Sequence, residues 1–185
     1  RAVDRRLGHA ADSIPRDTPD MPSHPLNPTA DSALTRALVW LRRDLRVEDH
    51  AALSQALSAA RQVWCAFVFD TDILDALPRA DRRVEFLRDS LAILDRVGII
   101  CRTGRAADEI PALARALGVQ AVFASHDDDP YALERDARVR GRLAEVGAAL
   151  HTTKDHVVFE RAEVMTAGRT PYGVFTPYRN AWLKA

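Results

Sequence analysis

From Ala37 onward, short apolar runs alternate with longer stretches in which apolar residues recur at helical spacing. Residues 37–41 (ALVWL), 63–69 (VWCAFVF), 98–102 (GIICR), 119–125 (VQAVFAS) and 148–153 (AALHTT) are short and rich in β-branched and aromatic side chains, which predicts strands. Each is nearly continuous in hydrophobicity, as a strand covered on both faces should be. Between them, apolar positions fall on single stripes: Leu53, Ala56, Leu57 and Ala60; Val84, Leu87, Leu91 and Leu94; Ile110, Leu113, Ala114 and Leu117; Leu133, Ala137, Val139, Leu143 and Val146. Strands alternating with helices in this way predict a doubly wound, five-stranded parallel sheet with helices on both faces, a Rossmann-like α/β fold. Parallel neighbours need a crossover, and crossovers are usually helical. Asp49 is placed to cap the first helix, and Gly118 and Gly147 to close the third and fourth.

The flanks break this pattern. Residues 1–34 are rich in Pro, Asp and Ser with no apolar period, so a disordered tail is expected there. The chain begins with Arg and carries Met21 ahead of the patterned region, which leaves the true start open. Residues 35–155 make the α/β domain. From 156 to 185 the pattern is that of a linker: a polar turn, an extended stretch, then Thr176 and Pro177 as N-cap and first residue of a helix. So short a helix, carrying Phe175, Tyr178 and Trp182, either packs back on the domain or leads into a further one; the uncovered aromatics favour the latter.

Composition narrows the function classes. The formal net charge is zero, so no global field recruits nucleic acid or membrane. No apolar run approaches the roughly 20 residues of a membrane-spanning helix, and the start has no hydrophobic signal core. A cytoplasmic location is the expectation. Cys65 and Cys101 lie in separate strand runs without CxxC spacing and are expected as buried, reduced thiols. His151 and His156 have suggestive spacing but no third ligand, so no metal site is expected. Trp40 and Trp64, on neighbouring strands, are expected to pack in the core.

The candidate chemistry sits where the first strand ends. In LVWLRRDLRVEDHAAL (38–53) a buried run passes directly into Arg42, Arg43 and Asp44. In open parallel sheets the ligand crevice lies beyond the carboxyl ends of the strands, where the strand order reverses. This turn has no glycine, which excludes a dinucleotide fingerprint and a Walker A loop. What remains is a guanidinium rim that either faces a phosphate or carboxylate or pairs with Asp44, Glu48 and Asp49 as a structural ion network.

Five segments, in order, resemble the DNA photolyase and cryptochrome family: LVWLRRDLRVEDHAAL, VFDTDIL (68–74), RADRRVEFLRDSL (79–91), SHDDDPYALERDARV (125–139), and HTTKDHVVFE through PYGVFTPYRNAWLK up to Lys184. The resemblance implies the N-terminal domain of a deoxyribodipyrimidine photolyase, bordering an antenna pigment, commonly a reduced folate or a deazaflavin. A helical domain beyond the linker would carry FAD, the tryptophan electron-transfer chain and most of the surface for damaged DNA. With light absorbed by the antenna, reduced flavin donates an electron to a cyclobutane pyrimidine dimer, which splits. This chain alone is therefore expected to be inactive and to hold no catalytic residue. Alternatives are a cryptochrome-type blue-light photoreceptor and a free-standing α/β nucleotide- or pigment-binding domain.

By position, the resemblance assigns the antenna groove to Arg42 and Arg43 after the first strand, Phe69, Asp70, Ile73 and Leu74 after the second, and Ser125, His126 and Asp129 after the fourth. Arginine would face an anionic pigment tail, Ile73 and Leu74 would pack on its ring, and carboxylates would accept ring N–H groups. The sequence departs from the family wording at His50 and Ser125, each in place of Asn, at Asp128 in place of Tyr, and at Asp129 in place of Glu. It is also shorter around residues 74–83 and 92–104.

Overall fold

The computed structural model describes residues 33–78 and 80–185; the expected tail, Met21 included, lies almost wholly outside the described residues. All five expected strands form: β1 (Leu34–Leu41), β2 (Ala60–Asp70), β3 (Ile99–Gly104), β4 (Ala121–Ser125) and β5 (Ala149–Thr153). Every pairing is parallel, in the order β3-β2-β1-β4-β5. The helices are α1 (Ala51–Ala59), the single turn α2 (Thr71–Leu74), α3 (Arg82–Ile93), α4 (Ala106–Leu117), α5 (Pro130–Glu145) and α6 (Phe175–Trp182).

Continuous apolar strands sort their side chains by parity. Leu38, Trp40, Ala66, Val68, Val122 and Ala124 join Ile110, Leu113 and Leu117 of α4 and Val139 and Leu143 of α5 in one cluster. Their neighbours Ala37, Val39, Leu41, Val63, Cys65 and Phe123 join Ala52, Leu53 and Ala56 of α1. Phe67 and Phe69 extend that second face to Leu91, with Leu87 and Leu74 against them. Burying each such large side chain contributes about 1.5–3 kcal/mol relative to exposure. The chain winds outward from β1 to β3, then returns through α4 to the far side of β1. The order therefore reverses between β1 and β4, and the crevice lies at their carboxyl ends.

Several local expectations are corrected. Asp49 does not cap α1. It turns into left-handed backbone (φ 49°), and its carbonyl accepts from the Arg46 guanidinium at 2.7 and 3.1 Å. His50, in extended backbone, takes the cap instead, its Nδ1 accepting the Leu53 N–H at 3.2 Å. Ala60 is the C-cap of α1 and at once the first residue of β2. Leu133 and Ala137 face solvent; the buried stripe of α5 is Ala132, Arg135, Asp136, Val139 and Leu143, so a charged pair occupies the positions sought among apolar residues. Val174, not Thr176, is the N-cap residue of α6. Gly118 and Gly147 do end α4 and α5 in left-handed backbone (φ 63° and 76°). Pro111 inside α4 withholds the N–H that Ala107 would receive. The Ala107 carbonyl accepts instead from Arg142 of α5 at 3.4 Å, tying the two helices together.

Candidate functional site at the carboxyl edge of the sheet

Arg42 and Arg43 leave β1 together and part at once. The Arg42 side chain is only 7% exposed, whereas that of Arg43 is 67% exposed. The Arg42 guanidinium donates to both Asp136 oxygens at 2.8 Å and to the Ser125 carbonyl at the end of β4. Arg135 donates to Asp136 as well, at 3.0 and 3.1 Å. Both guanidiniums stand 4.8 Å from the Trp40 ring centroid, a cation–π arrangement on a buried ring. Arg42 thus closes the switch point from within, through α5, and the three acidic residues proposed as its partners contribute only Asp44, by way of its backbone.

Asp44 is the second centre of this polar core. Its carboxylate accepts the Arg42 N–H at 2.7 Å and the Ser125 hydroxyl at 2.5 Å, and lies 3.0 Å from His50 Nε2. Because His50 Nδ1 accepts from Leu53, the neutral ring carries its proton on Nε2, facing Asp44 off the ideal hydrogen-bond line. Burial alone would raise the Asp44 pKa, but the donors from His50, Ser125 and Arg42 outweigh it and hold the carboxyl well below its usual range. The ligand-capable atoms of Asp44, Asp155 and His156 lie within 4.8 Å of one another. Sequence spacing did not show this grouping. Its carboxylates are already engaged, however: Asp155 accepts the Ala51 N–H at 2.9 Å and the Arg46 guanidinium at 2.7 Å. The cluster is an ion-pair junction at the start of α1.

On the β2 side, Asp70 is buried and shared. It caps α2 by accepting the Asp72 N–H at 3.2 Å, reaches the Ala106 N–H of α4 at 3.4 Å, and accepts the Tyr131 hydroxyl of α5 at 3.0 Å. Desolvation, then the bond to Asp70, pushes the Tyr131 phenol up to about 12. Phe69 is buried core and Leu74 packs beside it, whereas Ile73 is 41% exposed. Thr103 Oγ1, at the end of neighbouring β3, is buried without a hydrogen-bond partner.

On the β4 side, Asp129 caps α5 through the Tyr131 N–H at 3.0 Å, with Pro130 as the first helical residue. His126 is half-buried, its Nδ1 2.9 Å from both Glu160 oxygens; Arg43 reaches Asp127 at 3.2 Å and Arg161 reaches Asp128 at 2.8 Å. The nine assigned residues therefore share one edge of the sheet without forming one set of free ligand groups. Arg42, Ser125, Asp70 and Asp129 serve the protein itself, while Arg43, Ile73 and part of Leu74 remain open. A cavity of about 850 Å³ lies elsewhere, lined by His50, Leu53, Leu57, Lys154, Asp155 and Val157 among others, and none of the nine borders it.

Sequence reasoning missed Arg135, Asp136, Tyr131 and Glu160. The first two carried a signal: Ala132, Arg135, Asp136, Val139 and Leu143 fall on one helical stripe, and a charged pair on a buried stripe demands a buried counter-charge. Cys65 is buried, which pushes its thiol up to about 12, and Cys101 is half-buried. His151 is exposed and stacks on Phe123 at 5.1 Å, and His156 is exposed. Among the described residues no helix is long and apolar enough to cross a membrane.

The chain is similar to known proteins in sequence and in fold. The family model described as DNA photolyase matches residues 37–185. A deoxyribodipyrimidine photo-lyase of Streptomyces griseus is 37% identical over 155 residues, 79% of this chain and 34% of its own length. Cryptochrome-1 of Arabidopsis thaliana is 30% identical over 149 residues, 77% of this chain and 22% of its own. Among solved structures, a class III photolyase from Agrobacterium tumefaciens superposes with a TM-score of 0.70 at 22% identity, covering 85% of this chain and 34% of that one. A photolyase from Sulfolobus tokodaii, solved with two FAD molecules, gives 0.67 at 24%, covering 82% and 35%. At such identities the structural likeness shows the fold. The chain spans about a third of the length of the photolyases it matches. The five-stranded sheet with its reversal at β1 and β4, and the family match across nearly all of the patterned sequence, show that this chain belongs to the DNA photolyase family.

Proposed function

We propose that residues 35–155 are the antenna module of a light-driven deoxyribodipyrimidine photolyase and that residues 156–185 lead into its FAD-binding helical domain. The observation that carries this reading is the family match over residues 37–185 on a chain that spans only a third of its photolyase relatives. In the whole protein the flavin supplies the electron that opens a cyclobutane pyrimidine dimer in damaged DNA. The antenna module contributes a pigment wall. Arg43, exposed although paired with Asp127, offers its guanidinium to an anionic tail, and Ile73 and Leu74 offer an apolar edge to a flat ring such as a reduced folate or deazaflavin. Asp70 serves a ring N–H only if Tyr131 yields its place. Arg42 and Ser125 hold the wall and touch no pigment.

Extending the open reading frame past codon 185 and assaying its product tests the reading. The expected result is a long helical domain, bound flavin, and light-dependent reversal of thymine dimers in an oligonucleotide, with none from residues 1–185 alone. A stop codon at that point overturns it in favour of a free-standing pigment domain. A flavin-bearing product without repair activity favours a blue-light photoreceptor instead, a reading that the match to Cryptochrome-1 also supports.

A further inference from the structure

The three apolar clusters of the described residues end at Leu150. Residues 154–163 are held to the α/β domain in a different way, by charge. At one end Asp155, its side chain 3% exposed, is anchored by the Ala51 N–H and Arg46. At the other, two pairs stand in register: Glu160 against His126, and Arg161 against Asp128. The second is an ion pair and the first sets a ring nitrogen at hydrogen-bond distance from both carboxylate oxygens, so the stretch and the loop after β4 meet at two adjacent positions. Arg161 reaches across from left-handed backbone (φ 46°), a conformation that a bulky residue keeps only where its surroundings impose it. Lys154 braces the turn internally, donating to the Val158 carbonyl at 3.0 Å and to Glu163 at 2.7 and 2.9 Å, while Glu163 accepts the Glu160 N–H at 2.7 Å. Phe159, beside Glu160, meets Trp182 of α6 edge-on, ring centroids 5.6 Å apart.

We propose that residues 154–163 form an ionic latch: hinged at Asp155 and fastened at Glu160 and Arg161, they close over the loop after β4 and carry α6 with them through the Phe159–Trp182 contact. Partly exposed ion pairs are individually weak, and salt screens them beyond about 8 Å at physiological strength. An element fastened beyond its hinge by such contacts opens far more readily than the sheet beneath it. Fastened, the latch covers His126 and sets the direction of α6; released, it frees α6 to turn and leaves the end of β4 open. This inference rests on contacts within the chain and needs no pigment.

Hydrogen exchange read by mass spectrometry on the full 185-residue chain tests it. The double variant Glu160→Gln, Arg161→Gln is expected to exchange about tenfold faster across residues 156–185 with β1 and β4 unchanged, and the wild type to do the same in about 1 M salt. The charge swap Asp128→Arg, Arg161→Asp is expected to restore protection, Asp being tolerant of left-handed backbone. Unchanged exchange over 156–185, acceleration throughout the sheet, or a swap that fails to recover would each overturn the latch.

Discussion

Residues 34–153 and residues 154–185 are built on opposite terms. In the first, β1 carries Leu38, Val39 and Leu41 at zero exposure, and even its charged partners Arg42 and Asp136 are sealed inside. In the second, Phe175 is 71% and Leu183 61% exposed, and beyond the buried anchor Asp155 the contacts inward include the exposed Arg161–Asp128 ion pair. The same interaction type thus has two values in one molecule. A buried pair cannot be broken without stranding a charge, whereas an exposed pair exchanges for water at little cost.

The sharpest way to break this contrast is to remove one acid from each region. Asp136→Ala, leaving two buried guanidiniums unpaired, is expected to cost about 3–5 kcal/mol in urea denaturation, and Asp128→Ala less than about 1 kcal/mol. Equal losses would mean that the two regions fold as one unit. An apolar pair sharpens it further. Leu143→Ala is expected to cost about 2–5 kcal/mol and Leu183→Ala to stay within about 0.5 kcal/mol of wild type.

Acid should separate the regions too. The folded Asp44 carboxyl titrates below its unfolded value of about 3.9, so its contribution is full above that pH and is lost as pH falls towards its folded value. The stability gap between wild type and Asp44→Asn should therefore narrow below about pH 4, and a gap that stays constant would exclude the linkage. A modest effect is expected at Tyr131→Phe, about 1 kcal/mol. With its folded pKa raised to about 12, the phenol contributes fully below its ordinary value near 10, and that contribution fades as pH rises through the interval. Phenolate absorbance during an alkaline titration, compared between wild type and variant, reads it directly.

The fold was legible because parity and helical period act locally: continuous apolar runs mark strands covered on both faces, and five of them with helical spacers leave few alternatives. Two expectations failed for different reasons: Asp49 is turned by a local bond from Arg46 to its carbonyl, whereas Arg135 and Asp136 are settled by a strand end ninety-odd positions earlier. The candidate site was legible as a place and less so as a set of free groups. Arg42 and Arg43 are neighbours of identical type, and only the packing of α5 against β1 decides that the first is sealed and the second open.

Asp70 ties together more than its position at a strand end suggests. One carboxylate receives the start of α2, the start of α4 and the first turn of α5, and these helices flank different faces of the sheet. Any group that claimed an oxygen of Asp70 would loosen a shared fastening and be felt on both sides at once. A small event at the mouth of the crevice thereby acquires mechanical reach across the whole module.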